Sequence, residues 1–420
     1  AVLNYVSNTA NTNNAELLAA KTAWTNTATN ALAYSSAIAN TSAGSMTATA
    51  AGTTFTLTTG VADTNGTAGA DIFNAILGTG ATFNTFDTIN GLAGVDILNI
   101  SDSTAAAFAL PASTTIAGIE TVNLSRAAAA AATSIGVTVV DTTFGTGVKS
   151  LSVVEAGLAQ TAAAASVTLA SAETVSVIST GATKFNGVTV ADTTAVAATT
   201  GSTLKTVTIK GASTTANAIW GNAVTAVSIA DTGAVATVVN AAAGTREMTV
   251  TTSGTTQIGG FTDATATTLN INNSGAVALG TFTAAKATTI NYSSTAANTS
   301  ATITGAVATS LNVSGTKLAT IALAVNPALT TINVTGSAGL TLTAATNAAT
   351  DYAALALIDT SGTTGILTAA TLGTATAVTG GAGNDNITVG ATTKAINLGG
   401  STAIAAVAGT SNAIAAGNVV

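Results

Sequence analysis

The sequence predicts an all-β fold: a parallel β-solenoid (β-helix) with coils of about 21 residues, preceded by a short α-helical segment. Three observations lead there. Between residues 204 and 336 one apolar-polar-apolar triplet returns, as Val207-Thr208-Ile209, Val227-Ser228-Ile229, Met248-Thr249-Val250, Leu269-Asn270-Ile271, Ile290-Asn291-Tyr292, Leu311-Asn312-Val313 and Ile332-Asn333-Val334. The third residues of these triplets stand 20 apart once (229 − 209) and 21 apart at each later step to Val334. The apolar fraction of 47% owes much to Ala, and aromatics supply only 4%, so the core is thin and lies between close backbones. The third observation is a set of related Gly-Asp loops on either side of the ladder. A fixed period in a β-branched, Thr-rich chain means that each coil buries its apolar residues only by stacking on its neighbours.

Taken in order, residues 1–50 read as a helical segment and a linker. Leu17, Leu18, Lys21, Trp24, Ala28 and Leu32 fall near helical spacing between residues 14 and 36, with Asn13 or Asn14 as the cap. Residues 51–200 read as an irregular solenoid. It opens on the strand-like Phe55-Thr56-Leu57-Thr58. Two loops of the form Gly-x-x-Gly-x-Asp-x-apolar follow, Gly66 to Phe73 with Gly69 and Asp71, and Gly91 to Leu98 with Gly94 and Asp96. Apolar triplets recur less evenly at 122–124, 151–153, 167–169, 175–177 and 188–190. Residues 201–345 are the regular ladder. Residues 346–420 hold terminal coils and the stretch Gly380-Gly381-Ala382-Gly383-Asn384-Asp385-Asn386-Ile387-Thr388, which fits a calcium-binding nonapeptide repeat at every specified position.

Composition excludes several classes of function. The chain carries a net charge of −7, and its 10 Lys and Arg are spread singly, so no basic patch meets phosphates and no nucleic-acid partner is expected. Without a run of about 18 apolar residues no membrane span is expected. Absence of Cys rules out a disulfide framework, and absence of both Cys and His rules out Ser-His and Cys-His nucleophile systems. Residue 1 is Ala, with no positively charged signal-peptide start, which reads as a processed or partial chain.

Calcium is the expected cofactor. A hard cation takes several oxygen ligands, and a Gly-rich turn aims backbone carbonyls inward while an Asp adds charge. The candidate residues are Gly66, Gly69, Asp71, Asp87, Gly91, Gly94, Asp96, Gly380, Gly381, Gly383 and Asp385. The same residues also make tight turns, with Gly supplying positive φ and Asp bonding its own backbone. Asn270, Asn291, Asn312 and Asn333 form a column one coil apart, read as an amide ladder, with a ligand-binding row as the alternative. Phe261 and Phe282, again 21 apart, read as a stacked core pair; with Trp220 and Tyr292 they would otherwise make a sugar-stacking face. No catalytic residues are assigned, because residues 204–336 hold only Asp231, Glu247 and Asp263 as acids. Arg246 beside Glu247 reads as an exposed pair.

The loops and ladder together resemble the surface-layer proteins of Gram-negative bacteria of the Caulobacter crescentus lattice type, with RTX-like calcium loops. The matching stretches are Thr56-Leu57-Thr58-Thr59-Gly60, Asp87 to Leu98, Ile116 to Asn123, and Thr379 to Gly383 continuing through Gly390 to Ile396. The resemblance implies an extracellular protein that self-assembles into a calcium-dependent two-dimensional lattice on the cell surface. It further implies type I secretion and anchoring to lipopolysaccharide through a helical domain, of which residues 1–50 look like the tail. Anchoring and secretion signals are expected outside this chain. A secreted calcium-binding β-helical adhesin is the alternative reading.

Overall fold

The structure, a computed structural model, describes residues 50–399 except 128–134, 158–161, 182, 193–200, 213–214, 243, 276–277, 344–350, 373–374 and 390–393, together with 25–26 and 404–407. It is a parallel β-solenoid. The described residues contain 32 strands, numbered here β1 (Thr54–Thr56) to β32 (Ile404–Val407) in chain order, and a short helix within the solenoid, α1 (Asp141–Phe144). Of the expected N-terminal helix only Thr25 and Asn26 are described, and both are helical. The rest lies outside the described residues.

Each coil contributes one strand to each of two walls. The odd-numbered strands from β1 to β31 (Ile396–Asn397) make a single 16-stranded parallel sheet. The opposite wall begins as a three-stranded sheet of β2 (Asp63–Asn65), β4 (Thr88–Asn90) and β6 (Thr115–Ala117), and from β8 (Val137–Val140) it continues as a 13-stranded sheet. This second wall is the part hidden in the sequence. The triplets at 167–169 and 188–190 belong to it, not to the wall that carries the ladder. Its last strand, β32, pairs with β30 (Asn386–Val389), so part of the Ala-rich tail is an added coil.

Side chains alternate in and out as strand geometry requires. In β9 (Ser150–Glu155) the residues Leu151, Val153 and Glu155 face inward and are buried, while their neighbours face outward. Inward residues stack in files. One file runs from Phe55 through Phe73, Leu98, Val122, Leu151, Val175, Val207 and Val227 to Val250, Ile271, Tyr292, Val313 and Val334, over twelve coil-to-coil steps. The interval 334 − 55 divided by twelve gives about 23 residues per coil, within the range of periods expected of solenoids. Steps range from 18 (Phe55 to Phe73) to 32 (Val175 to Val207), and the turns absorb the difference.

The even spacing of the ladder misleads at one step, where the register corrects it. The spacing of 21 from Ile229 to Val250 suggests that these residues are neighbours, but Val250 pairs with Val227, and Ile229 pairs with Thr252. The step is therefore 23 (250 − 227), and the inward set slides by two positions along the strand. Met248 opens a new apolar file that continues as Leu269, Ile290, Leu311 and Ile332. The displaced file becomes polar: Thr252 and Asn273 are buried and bonded to each other at 3.1 Å. Elsewhere the periodic reading holds. Phe261 pairs with Phe282 and both are fully buried.

The Asn column is an amide ladder. Nδ2 of Asn291, Asn312 and Asn333 each donates to Oδ1 of the Asn one coil earlier, at 2.7, 2.8 and 2.9 Å. Asn270 Nδ2 ends the row by donating to Glu247 Oε1 at 2.7 Å. A second ladder, not anticipated, links Asn123, Asn99 and Asn74 through bonds of 2.9 and 3.0 Å.

Candidate metal-binding loops

The turn before each early strand of the long sheet places one acid at the same point. Asp71, Asp96 and Glu120 directly precede β3 (Ile72–Leu77), β5 (Ile97–Asp102) and β7 (Thr121–Arg126). Because these strands stack in register, the three carboxylates stack too. Each takes the backbone N–H of the turn one coil before it. Thr53 N–H donates to Asp71 Oδ1 at 2.6 Å, Asp71 N–H to Asp96 Oδ1 at 2.7 Å, and Asp96 N–H to Glu120 Oε2 at 2.8 Å. The chain bends at these turns, and the acid supplies the acceptor that the ladder does not.

The glycines follow from the same close stacking. A Cβ on Gly66 would lie 2.5 Å from both Asp71 Oδ2 and Gly91 O. One on Gly91 would overlap Gly118 O and the Asp96 carboxylate, and one on Gly94 would overlap Gly69 O. Gly69 in turn faces the backbone of Ala50 and Ala51. The third loop is built alike on the other wall: Gly380 lies against the Leu398 backbone, Gly381 against the carbonyls of Thr360 and Thr363, and Gly383 against Gly365 O.

The candidate acids differ in what remains free. Both oxygens of Asp71 are occupied, by the amides of Thr53 and Thr67 and by the Thr67 hydroxyl. Burial raises its pKa, but those bonds outweigh it and hold the carboxyl below its ordinary value. Asp87 is similarly filled, by Ala62 N–H at 2.8 Å and Asn84 N–H at 2.6 Å, and it precedes β4 on the opposite wall. Asp96 Oδ2, in contrast, is buried without a hydrogen-bond partner. Burial pushes the Asp96 pKa up; the Asp71 amide lowers it, and the charges of Glu120 and Asp71 add to the rise. Asp385 behaves in the same way. Its Oδ1 accepts from Leu367 N–H at 2.9 Å, its Oδ2 is buried and unpartnered, and burial raises its pKa against the Leu367 and Gly381 amides.

The fold thus brings Asp71 and Asp96 together and adds Glu120, which the loop pattern alone does not select. The intervals 25 (96 − 71) and 24 (120 − 96), each ending just before an apolar triplet, are the signal for it. Asp385 stands before β30, on the other wall and many coils away. Among the described residues no three His, Cys, Asp or Glu side chains converge as a metal-binding group. A cation there would rest on one orphaned carboxylate oxygen and neighbouring carbonyls. Asp96 and Asp385 fit that role, whereas Asp71 and Asp87 already serve the backbone.

Two buried ion clusters lie elsewhere, and no sequence pattern marks either. Asp102, Arg126 and Glu155 occupy one inward file, each about 2% exposed. Arg126 Nε meets Asp102 at 2.8 Å, Nη1 meets Glu155 at 3.4 Å, and the remaining donors reach the carbonyls of Ile135 at 3.0 Å and Ala106 at 2.5 Å. Arg246 is not the exposed partner of Glu247. It turns inward to Asp263 at 2.7 Å, Thr265 Oγ1 and Val224 O. No family model matches this chain, and no curated protein matches it.

Proposed function

We propose that this protein is a structural surface-layer component, a β-solenoid rod that self-assembles with calcium into a two-dimensional lattice outside a Gram-negative cell. The observation that carries the reading is the exterior. The outward rows are Thr, Ser and Asn tied coil to coil by ladders such as Asn270 to Asn333, and bulky apolar residues such as Phe86, Leu92, Val95 and Ile366 stand exposed at the turns. With only 6% charged residues, copies repel one another little. A long sheet of 16 strands at about 4.8 Å per step gives a stiff body of roughly 70 Å.

Calcium enters through Asp96 and Asp385, whose free oxygens are costly to leave buried and charged without a partner. An ion bound there would stabilise the ordered loops by mass action. Electron microscopy of purified protein tests the whole reading. Ordered sheets with calcium that disperse on chelation are expected. Sheets that survive prolonged chelation, or protein that forms none at any calcium concentration, would overturn it. No helix among the described residues is long and apolar enough to cross a membrane.

A further inference from the structure

The two-position slip at Val250 also shapes the outside of the rod. In β17 (Glu247–Ser253) the pairing with β15 (Ala226–Ala230) begins only at Thr249, opposite Ala226. Glu247 and Met248 pair forward, with Thr268 and Leu269, and overhang the coil behind them. At the overhang lies an open notch of about 730 Å³, at the corner that leads into the 16-stranded sheet. Sites for small molecules run from roughly 300 to 1,000 Å³, so the notch has the size of one. Ala223 and Ala226 line it with little bulk, together with Thr225, Thr245, Thr249 and Glu247.

Its polar groups are uncommitted where those of later coils are not. Thr267, Thr288, Thr309 and Thr330 each directly precede a strand, and each hydroxyl donates to a carbonyl one coil earlier, at 3.0–3.5 Å. Thr225 holds the equivalent place before β15. Among the described residues its hydroxyl nevertheless has no partner, and neither have those of Thr245 and Thr249. Glu247 terminates the amide ladder: Asn270 Nδ2 holds its Oε1 at 2.7 Å, and among the described residues Oε2 accepts no bond. No cation offsets its charge. Arg246 turns inward to Asp263, Thr265 and Val224 O, and Lys205 on the preceding coil reaches Glu173 at 2.9 Å.

We propose that this notch binds one neutral sugar unit of a glycan. Sugar hydroxyls both donate and accept, which matches three free hydroxyls beside a carboxylate oxygen that only accepts. Hydrogen bonds to the ionised Glu247 are the stronger ones and fix the orientation. An acidic sugar would bring a like charge to Glu247, and a bare metal ion would meet a single acid, since no three converge among the described residues. A large apolar ligand would strip water from the hydroxyls and the carboxylate without replacing it. Binding of this kind goes beyond lattice assembly and is independent of it.

An array of neutral, acidic and amino glycans, probed with the biotinylated full chain multimerised on streptavidin, tests the proposal. Neutral glycans should be retained and acidic ones excluded. Thr249→Val keeps the β-branched shape but removes one hydroxyl, and Ala226→Met fills the space. Each should weaken binding at least tenfold with the thermal midpoint of wild type. Thr208→Val, the same change in the same sheet outside the notch, should bind as wild type. If Thr249→Val does not fold, Ala226→Met decides. Retention of no neutral glycan, retention confined to charged glycans, or wild-type binding by both notch variants overturns the site. Sheet formation is scored separately by electron microscopy, so failure of the sugar site leaves the surface-layer reading standing, and the reverse.

Discussion

Replacing Arg126 by Met should unfasten the early coils. Met keeps much of the side-chain volume but leaves the carboxylates of Asp102 and Glu155 and the carbonyls of Ala106 and Ile135 without the guanidinium that now bonds all four. Removing one member of a buried ion cluster costs about 3–5 kcal/mol, mostly because charges stay buried and unpaired. In a solenoid that loss falls on the affected coils and their neighbours rather than on the whole rod. Hydrogen exchange followed by mass spectrometry is therefore the suitable assay. Amides of β5, β7 and β9 should exchange faster by roughly 100-fold or more, since about 1.4 kcal/mol is tenfold, while β19 (Thr268–Asn273) onward is unchanged. The triple variant Asp102→Leu, Arg126→Met, Glu155→Leu should recover most of the protection. A change below tenfold in the single variant, or loss spread evenly along the rod, would refute the reasoning.

Four other positions carry expected outcomes. Asp96→Asn should raise the thermal midpoint at neutral pH in chelator and remove the response to added calcium: a carboxyl whose folded pKa is raised loses stability as pH rises through the unfolded and then the folded value, and Asn does not ionise. Asp71 has the opposite sign, because its lowered folded pKa stabilises above the unfolded value and is lost as acid is added; a thermal titration from neutral to acidic pH should show this loss flattened in Asp71→Asn. Asn291→Val, which leaves Asn270 Oδ1 and Asn312 Nδ2 unpaired in the middle of the ladder, should cost about 1 kcal/mol in urea unfolding, more than Asn333→Val nearer its end. Gly91→Ala should destabilise by about 2 kcal/mol or more through overlap with Gly118 O, whereas Gly60→Ala, with open space around it, should be neutral; equal midpoints for the two would count against the close stacking of the loops.

The solenoid is legible in the sequence because its evidence is periodic. Leu269, Ile290, Leu311 and Ile332 repeat one environment, and repetition averages out local ambiguity. The Asn ladder can be read for the same reason. Features built from one residue per coil at uneven spacing cannot. Asp102, Arg126 and Glu155 follow one another at unequal steps, 126 − 102 against 155 − 126, so nothing in the sequence marks them as one inward file. The slip at Val250 is masked by coincidence, since Met248-Thr249-Val250 matches the triplet pattern while sitting two positions out of line with Val227. The Gly-Asp loops stand out, but their pattern does not distinguish a carboxylate that binds the backbone, as in Asp71, from one with an oxygen to spare, as in Asp96.

That slip also gives the rod an address system. Coils of equal length with the same Leu-Asn-Ile or Leu-Asn-Val face are nearly interchangeable, so a coil stacked on the wrong neighbour loses little side-chain fit. The sideways jump from Ile229 to Thr252 has no equivalent elsewhere along the mapped core file. It acts as a fiducial mark from which later coils are counted. Deleting one regular coil, Asn272 through Tyr292, should shorten the rod by one turn and leave it folded, whereas deleting the coil that contains the jump, Ser228 through Val250, should remove the mark and destabilise the coils that flank the join.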